Sequence, residues 1–293
     1  MVALLSQQVL NGLIIGLVYA LIALGLTMVY GVLRVIHLAH AATYALGAYV
    51  AAMLLNRQVP MPVAIVLGIA VAGALGVVIE RGIYRPLLHA KPIAPLIAGL
   101  GLYFVLQDTI KNVAGPYALP FGESSAVGSL VLGPLRVTQP QILVVVVCVL
   151  LIAGVFLLIR RTPFGLRIRA VADRRDMSSA VGINVNGIVS LTFLIASVLA
   201  GVAGILVANL YSTVYPTMGL DYTLRALAVV VVGGLGSVGG AVVASLLLGV
   251  TESLLVGMFE LPIGQDGVAF IFLVAVLLLR PQGLFGSRLT EKV

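Results

Sequence analysis

Charged residues make up only 9% of this 293-residue chain, where a soluble domain carries roughly 25%. Such a deficit excludes a water-facing fold, and 61% hydrophobic residues point to the membrane interior. No long polar interval leaves room for a soluble extramembrane domain. There is one cysteine, Cys148, inside an apolar run, so neither a disulfide framework nor a thiolate metal site forms within one chain. The histidines are His37, His40 and His89, without a carboxylate cluster beside them. The lysines are Lys91, Lys111 and Lys292, and none stands in the Gly-x-x-x-x-Gly-Lys-[Ser/Thr] context that cradles nucleotide phosphates. No His-Glu-x-x-His or nucleophile-elbow pattern is present. The chain is therefore expected to be no enzyme and to need no cofactor. A formal net charge of +7 does not imply nucleic acid, because the basic residues sit in loops, as cytoplasmic anchors do. The first six residues carry no side-chain charge, so the first apolar run reads as a retained span, not a signal peptide.

What the chain has is apolar segments. At about 20 residues per helical span, its length allows roughly eight. They fall near 7–33, 37–55, 62–83, 93–111, 140–159, 188–210, 241–258 and 266–280, with a shorter run at 224–232. The expected fold is all-α: a polytopic transmembrane bundle of about eight spans plus a broken or re-entrant helix near 222–240, in a single domain over 1–293. Gly12 and Gly16 form a small-xxx-small face suited to close helix contact. The β-branched run Val144–Val147 is read as helix, because an isolated strand in lipid leaves its backbone groups unsatisfied.

The longest charged interval, 160–187, holds six of the seventeen basic residues: Arg160, Arg161, Arg167, Arg169, Arg174 and Arg175. Basic loops next to spans stay in the cytoplasm. This loop therefore fixes the orientation, and the loop with Arg81, Arg85, His89 and Lys91 falls on the same side. Residues 259–266, with Glu260 and Asp266, suit the outside, and the tail with Arg280, Arg288 and Lys292 suits the inside. Alternation then puts the N-terminus outside. Within the loop, Ala170 to Val181 reads as one amphipathic helix of about three turns. Ala170, Met177, Ala180 and Val181 fall near one face, and Gly182 is its stop. Topology alone needs only a few basic residues, so the patterned helix reads as a docking element.

A second stretch, Gly233-Gly234-Leu-Gly236-Ser237-Val-Gly-Gly240, packs five glycines into eight residues. It reads either as close helix packing or as a helix break whose ends line a solute path. Asp108, Arg225 and Glu252 are the ionisable residues at possible membrane depth, each requiring a partner or water. Asp108 and Arg225 lie near segment ends and are expected to snorkel. Glu252 lies deeper, as a buried carboxyl between helices or as a path-lining group. His37 and His40 are expected to be structural, since two histidines lack a third metal ligand.

Taken together, these stretches resemble the permease subunits of branched-chain amino acid ABC importers, specifically the smaller of the paired permeases. Tyr19–Gly31 is similar to the family's first span. Ile36-His37-Leu-Ala-His40-Ala41 resembles its Ile-Asn-Phe-Ala-His-Gly motif, with His37 for Asn and Ala41 for Gly. Arg169-Ala-Val-Ala-Asp173 through Gly182-Ile-Asn184 resembles its cytoplasmic coupling loop, with Arg174 where many members are acidic. Arg225-Ala226 through Ala241 resembles its glycine-rich segment. The resemblance implies a bacterial inner-membrane subunit paired with a second, homologous permease. It further implies two cytoplasmic ATP-binding subunits and a periplasmic or lipoprotein substrate-binding protein. Arg169, Ala170, Asp173, Met177, Ala180, Val181 and Gly182 are then the expected ATPase-coupling residues. His40, Gly233, Gly234, Gly236, Ser237 and Glu252 are the expected path residues. Related systems carry urea or short amides. The rival class is a self-sufficient secondary transporter or channel, using Asp108 or Glu252 for ion coupling.

Overall fold

The computed structural model describes residues 2–88, 90–91, 93–122, 128–133, 135–259 and 264–285. Its helices are α1 (Val2–Leu33), α2 (His40–Leu55), α3 (Met61–Ile79), α4 (Arg85–Leu87), α5 (Ile93–Ala114) and α6 (Gln139–Arg161). They continue as α7 (Pro163–Asp173), α8 (Arg175–Ala180), α9 (Val185–Tyr211), α10 (Met218–Gly233), α11 (Val238–Phe259) and α12 (Gln265–Leu279). A π turn, Glu80–Tyr84, joins α3 to α4. Two small antiparallel sheets complete the described structure. In one, β1 (Leu119–Pro120) pairs with β4 (Thr213–Val214); in the other, β2 (Ser129–Leu132) pairs with β3 (Leu135–Thr138) in a hairpin. Among the described residues, six helices are long and apolar enough to cross a membrane, and α2 and α12 are shorter apolar helices. The chain is a polytopic helical bundle, as its apolar segments predict. The β-branched stretch Val144–Val147 lies within α6, begun by a Thr138–Gln141 capping box.

Helix α1 is the axis of the bundle. It is apolar all round and buried over most of its length, whereas α3, α5 and α6 expose large residues such as Val66, Val78, Phe104 and Leu150 in the manner of lipid-facing helices. Glycines let other helices reach α1. A Cβ on Gly12 would meet the backbone of Gly249 and Val250, and one on Gly16 the backbone of Ser245 and Leu246. The Gly12/Gly16 face therefore has its partner in Ser245-x-x-x-Gly249 of α11, backbone against backbone. Helix α9 receives α2 in the same way, Gly201 against Gly47 and Gly204 against Tyr44.

The ends of the bundle follow from contacts. Gln7 Nε2 of α1 donates to the Arg136 carbonyl of β3 at 3.1 Å, and Arg34, just past α1, donates to the Ala172 carbonyl of α7 at 3.1 Å. The two ends of α1 thus lie at opposite faces, and the arginine-rich α7–α8 face is the one that loop charge assigns to the cytoplasm. The N-terminal end of α1 lies at the opposite face, the one that alternation assigns to the outside. His89, Glu260, Arg288 and Lys292, which entered that side assignment, lie outside the described residues.

The 222–240 region is a helical hairpin. Short α10 turns at Gly234–Ser237 into full-length α11, with Gly233 against Gly240 at the crossing. Gly234 and Gly236 have φ of 99° and 86°, where only glycine sits without strain. The chain after α12 returns to this turn: Leu284 N–H donates to the Val232 carbonyl and Phe285 N–H to that of Gly233.

Candidate functional sites: a cytoplasmic coupling surface and an outer cavity

The 160–187 loop is helical nearly throughout, but not as the single Ala170–Val181 helix its periodicity predicts. Arg174 takes extended backbone, φ −145° and ψ 106°, ending α7 and starting α8. No glycine or proline marks that break. It is fixed by caps: Ser178 N–H and Oγ both bond the Arg174 carbonyl, and Arg34 takes the Ala172 carbonyl that the end of α7 leaves free. Helix α7 itself begins with Thr162, whose Oγ1 accepts the Gly165 N–H, followed by Pro163. A Cβ on Gly165 would collide with the Leu158 and Ile159 carbonyls, so this glycine permits the tight turn from α6. At the far end Gly182 has φ 83°. The Ile183→Ser178 and Gly182→Ser179 backbone bonds close α8 in a Schellman motif, which is the stop the sequence predicts.

Ile168 and Val171 bury one face of α7 in the main core, and Ser178 buries one face of α8. The expected docking residues divide accordingly. Ala170 is half-buried, while Arg169, Asp173, Ala180 and Gly182 are exposed. Met177 is 60% exposed and Val181 75%. Met177 and Val181 are thus two neighbouring exposed apolar side chains on a basic surface, available to a partner. A cavity of about 530 Å³ adjoins them, lined by Leu88, Arg175, Asp176, Ser179, Ile183, Asn184, Val185 and Asn186. Nε and Nη2 of Arg175 are buried there with no partner among the described residues. Partial burial lowers the Arg175 pKa from its ordinary value, with neighbouring Asp176 opposing the shift.

The second site centres on Glu252 of α11. The Tyr19 hydroxyl donates to its Oε2 at 2.7 Å, and Arg225 Nη1 donates to the Tyr19 oxygen at 3.2 Å. Arg225 Nε continues to Asp266 Oδ1 at 2.8 Å, and its guanidinium lies over the Tyr222 ring. Tyr222 in turn stacks on Tyr44, centroids 5.5 Å apart. The expectation that Arg225 snorkels is corrected: its side chain is only 10% exposed, and the α12 N-terminus brings Asp266 to it. Asp108 is exposed, at 67%, and paired with Lys111. Glu252 also lines a cavity of about 430 Å³ with Gln8, Asn11, Ile14, Ile15, Thr138, Gln141, Leu210, Tyr211, Ser253, Val256, Gly257 and Gln265. Its walls come from the outer ends of α1, α6, α9, α11 and α12.

The expected path residues do not form one cluster. Ser237 and Glu252 are separated by 15 positions of chain along α11 (252 − 237), roughly 22 Å of helix. Gly233, Gly234, Gly236 and Ser237 make the hairpin turn. His40 is fully buried at the start of α2, its ring 5.6 Å from that of His37, which bonds the Tyr84 hydroxyl at 2.9 Å. Neither ring nitrogen of His40 has a partner among the described residues. No group of three metal-ligating side chains occurs among the described residues. Sequence reasoning missed Arg34, Gly165, Asp266 and the outer polar set Gln8, Asn11 and Gln141. Arg225 and Glu252 carried a signal, charge within apolar runs, but Gln8 and Asn11 look like ordinary interfacial residues until α6 and α11 are placed beside them.

With this geometry described, comparison with known proteins is informative. Residues 8–278 match the family described as branched-chain amino acid transport system, permease component. The chain is 39% identical to the high-affinity branched-chain amino acid transport system permease protein BraD of Pseudomonas aeruginosa, over 98% of this chain and 97% of that one. It is 34% identical to the LivH permease protein of Escherichia coli K12, over 98% and 97%. A more distant likeness, 27% over 80% of this chain and 71% of the relative, is to the ribose import permease RbsC of Haemophilus influenzae. Among solved structures, PsaBC of Streptococcus pneumoniae shares the fold, with TM-score 0.52 at 15% identity over 94% of this chain and 92% of that one. Residues 8–278 and the full-length relatives together show that the chain belongs to the family of branched-chain amino acid transport system permease components.

Proposed function

We propose that the whole chain, 1–293, acts as one transmembrane permease domain of an ATP-driven importer for branched-chain or related hydrophobic amino acids in the bacterial inner membrane. Family membership makes it a transport subunit working with ATP-hydrolysing and solute-binding subunits. A second, homologous permease would complete the path, and two ATP-binding subunits would supply the work. A periplasmic or lipoprotein binding protein would deliver solute. Exposed apolar residues on the outer helices take up membrane lipid.

The observation that carries this reading is the α7–α8 surface. Met177, Ala180 and Val181 are held out by α8, which follows directly on α7, whose Ile168 and Val171 pack into the core; this surface would face the cytoplasm. Arg169, Ala170, Asp173 and Gly182 frame that surface. An ATPase groove closing on it would push α7. Because Arg34 ties the end of α7 to the end of α1, the push would reach the Gly12/Gly16–Ser245/Gly249 seam on which the outer cavity is built. Solute would pass from the cavity at Glu252 towards His40 and the Gly233–Ser237 turn.

Met177→Asp places a charge on the docking surface and touches nothing in the core. In proteoliposomes of the assembled importer it should lower ATP-dependent leucine uptake at least about tenfold, the effect of ~1.4 kcal/mol of lost docking, and reduce co-purification of the ATPases. Normal uptake and normal co-purification would remove α8 from the coupling role. Uptake by the chain alone, driven by an ion gradient, would favour a secondary transporter instead.

A further inference from the structure

The outer cavity holds a buried acceptor that no described residue uses. Glu252 is 1% exposed and forms part of the wall of the 430 Å³ cavity. Tyr19 occupies its Oε2, but its Oε1 has no partner among the described residues. An unused carboxyl oxygen at this depth is costly unless a donor arrives. No basic side chain forms an ion pair with it among the described residues: Arg225, the cation of this network, gives its Nη1 to Tyr19 and its Nε to Asp266.

We propose that the cavity is a binding site for an amphoteric primary amine, with the ammonium group received by Oε1 of Glu252. This deepens, and rests on, the amino-acid reading above. The rest of the wall fits the same class. The amides of Gln8, Asn11 and Gln141 offer neutral donors to a carboxylate, and Ile14 and Val256 offer apolar contact to an aliphatic side chain. The lining contains no lysine, arginine or histidine, so nothing there competes for Glu252. The volume lies within the ~300–1,000 Å³ of small-molecule sites. Tyr19 positions the carboxyl, and Arg225 and Asp266 hold Tyr19 in place from behind.

The test uses the assembled importer in lipid nanodiscs carrying Val256→Cys, since the native Cys148 is fully buried. Methanethiosulfonate reagents of opposite charge, ethyltrimethylammonium and ethylsulfonate, are applied without ATP. The cationic reagent should react about tenfold faster, the size of effect a single carboxylate exerts at short range. Glu252→Gln should abolish that preference and Glu252→Asp should keep it. L-leucine at high concentration should slow the labelling, whereas 4-methylpentanoate, the same skeleton without the amine, should not. A charge preference unchanged by Glu252→Gln, equal protection by the two compounds, or no labelling at all would overturn the proposal. The comparison of the two compounds needs only Val256→Cys, so it decides even where Glu252→Gln fails to assemble. ATP-dependent leucine uptake by the parent complex is measured separately. Its loss would count against the importer reading, while normal uptake with failed protection would count against this site alone.

Discussion

Single ionisable residues in this protein are placed by partners far away in sequence. Glu80 is 1% exposed and accepts Arg85 Nε and Nη2 at 3.0 and 3.1 Å, and Ser190 Oγ of α9 at 2.7 Å. The π turn makes the pair possible. Its backbone bonds run from residue i to i−5, as from Arg85 N–H to the Glu80 carbonyl, and this brings side chains five apart onto one face. Glu80→Ala would strand Ser190 and the half-buried Arg85, and should destabilise the fold by about 1–3 kcal/mol, below the full buried-pair cost because Arg85 retains some water. The sole cysteine, Cys148, is fully buried. Its reaction with a thiol-reactive dye during heating therefore reports the loss directly, and an unchanged transition would show that the triad carries no stability. In the sequence Arg85 reads only as a member of a basic loop, and Glu80 falls at the end of the apolar segment before it. Their spacing matches neither i+3 nor i+4, and no local rule anticipates a π turn. Arg225 escaped for a related reason, because its partner Asp266 arrives on another helix.

Helices were legible where composition alone decides them and illegible where packing decides them. Lipid requires every backbone group to be satisfied within the segment, so apolar length located nearly every helix. The Gly12/Gly16 spacing announced a close contact, but its partner Ser245-x-x-x-Gly249 appeared only once α11 lay against α1. The glycine run 233–240 left packing and breakage open, and the fold uses both: Gly233 and Gly240 cross, while Gly234 and Gly236 turn. The break at Arg174 had no signal, since tertiary caps impose it on residues that would continue a helix. The seam gives a sharp expectation for α11. Gly249→Leu drives a side chain into the backbone of Gly12 and Gly16, where neither chain can move aside cheaply. The cost should exceed the ~1–3 kcal/mol of ordinary overpacking, so the variant should lose the monodisperse complex in size-exclusion chromatography and expose Cys148 to thiol reagents at ambient temperature. A variant of wild-type yield and protected Cys148 would show that α1 and α11 are not packed as described.

At the scale of the whole molecule, the cytoplasmic surface and the outer cavity share one mechanical element, α1. Its outer half packs against α11 beneath the cavity, and its inner end is tied by Arg34 to the last turn of α7. If α7 drives α1 through that bond, Arg34→Ala should disconnect the two ends without unfolding either. Arg34 is exposed and has φ 57°, a left-handed cost that alanine inherits unchanged, so the substitution isolates the side chain. Losing one exposed charge-assisted bond should cost the fold no more than about 1 kcal/mol. The larger effect should be on coupling. ATP hydrolysis by the assembled importer should stay near the parent rate, because the Met177 surface is intact, while leucine carried per ATP falls several-fold. Arg34→Lys keeps a donor of the same charge and should recover part of the ratio. Measuring uptake and hydrolysis in the same proteoliposomes separates the possibilities. Uptake and hydrolysis falling together would place Arg34 in docking, and an unchanged ratio would mean that α7 reaches the cavity through α6 and α9 instead.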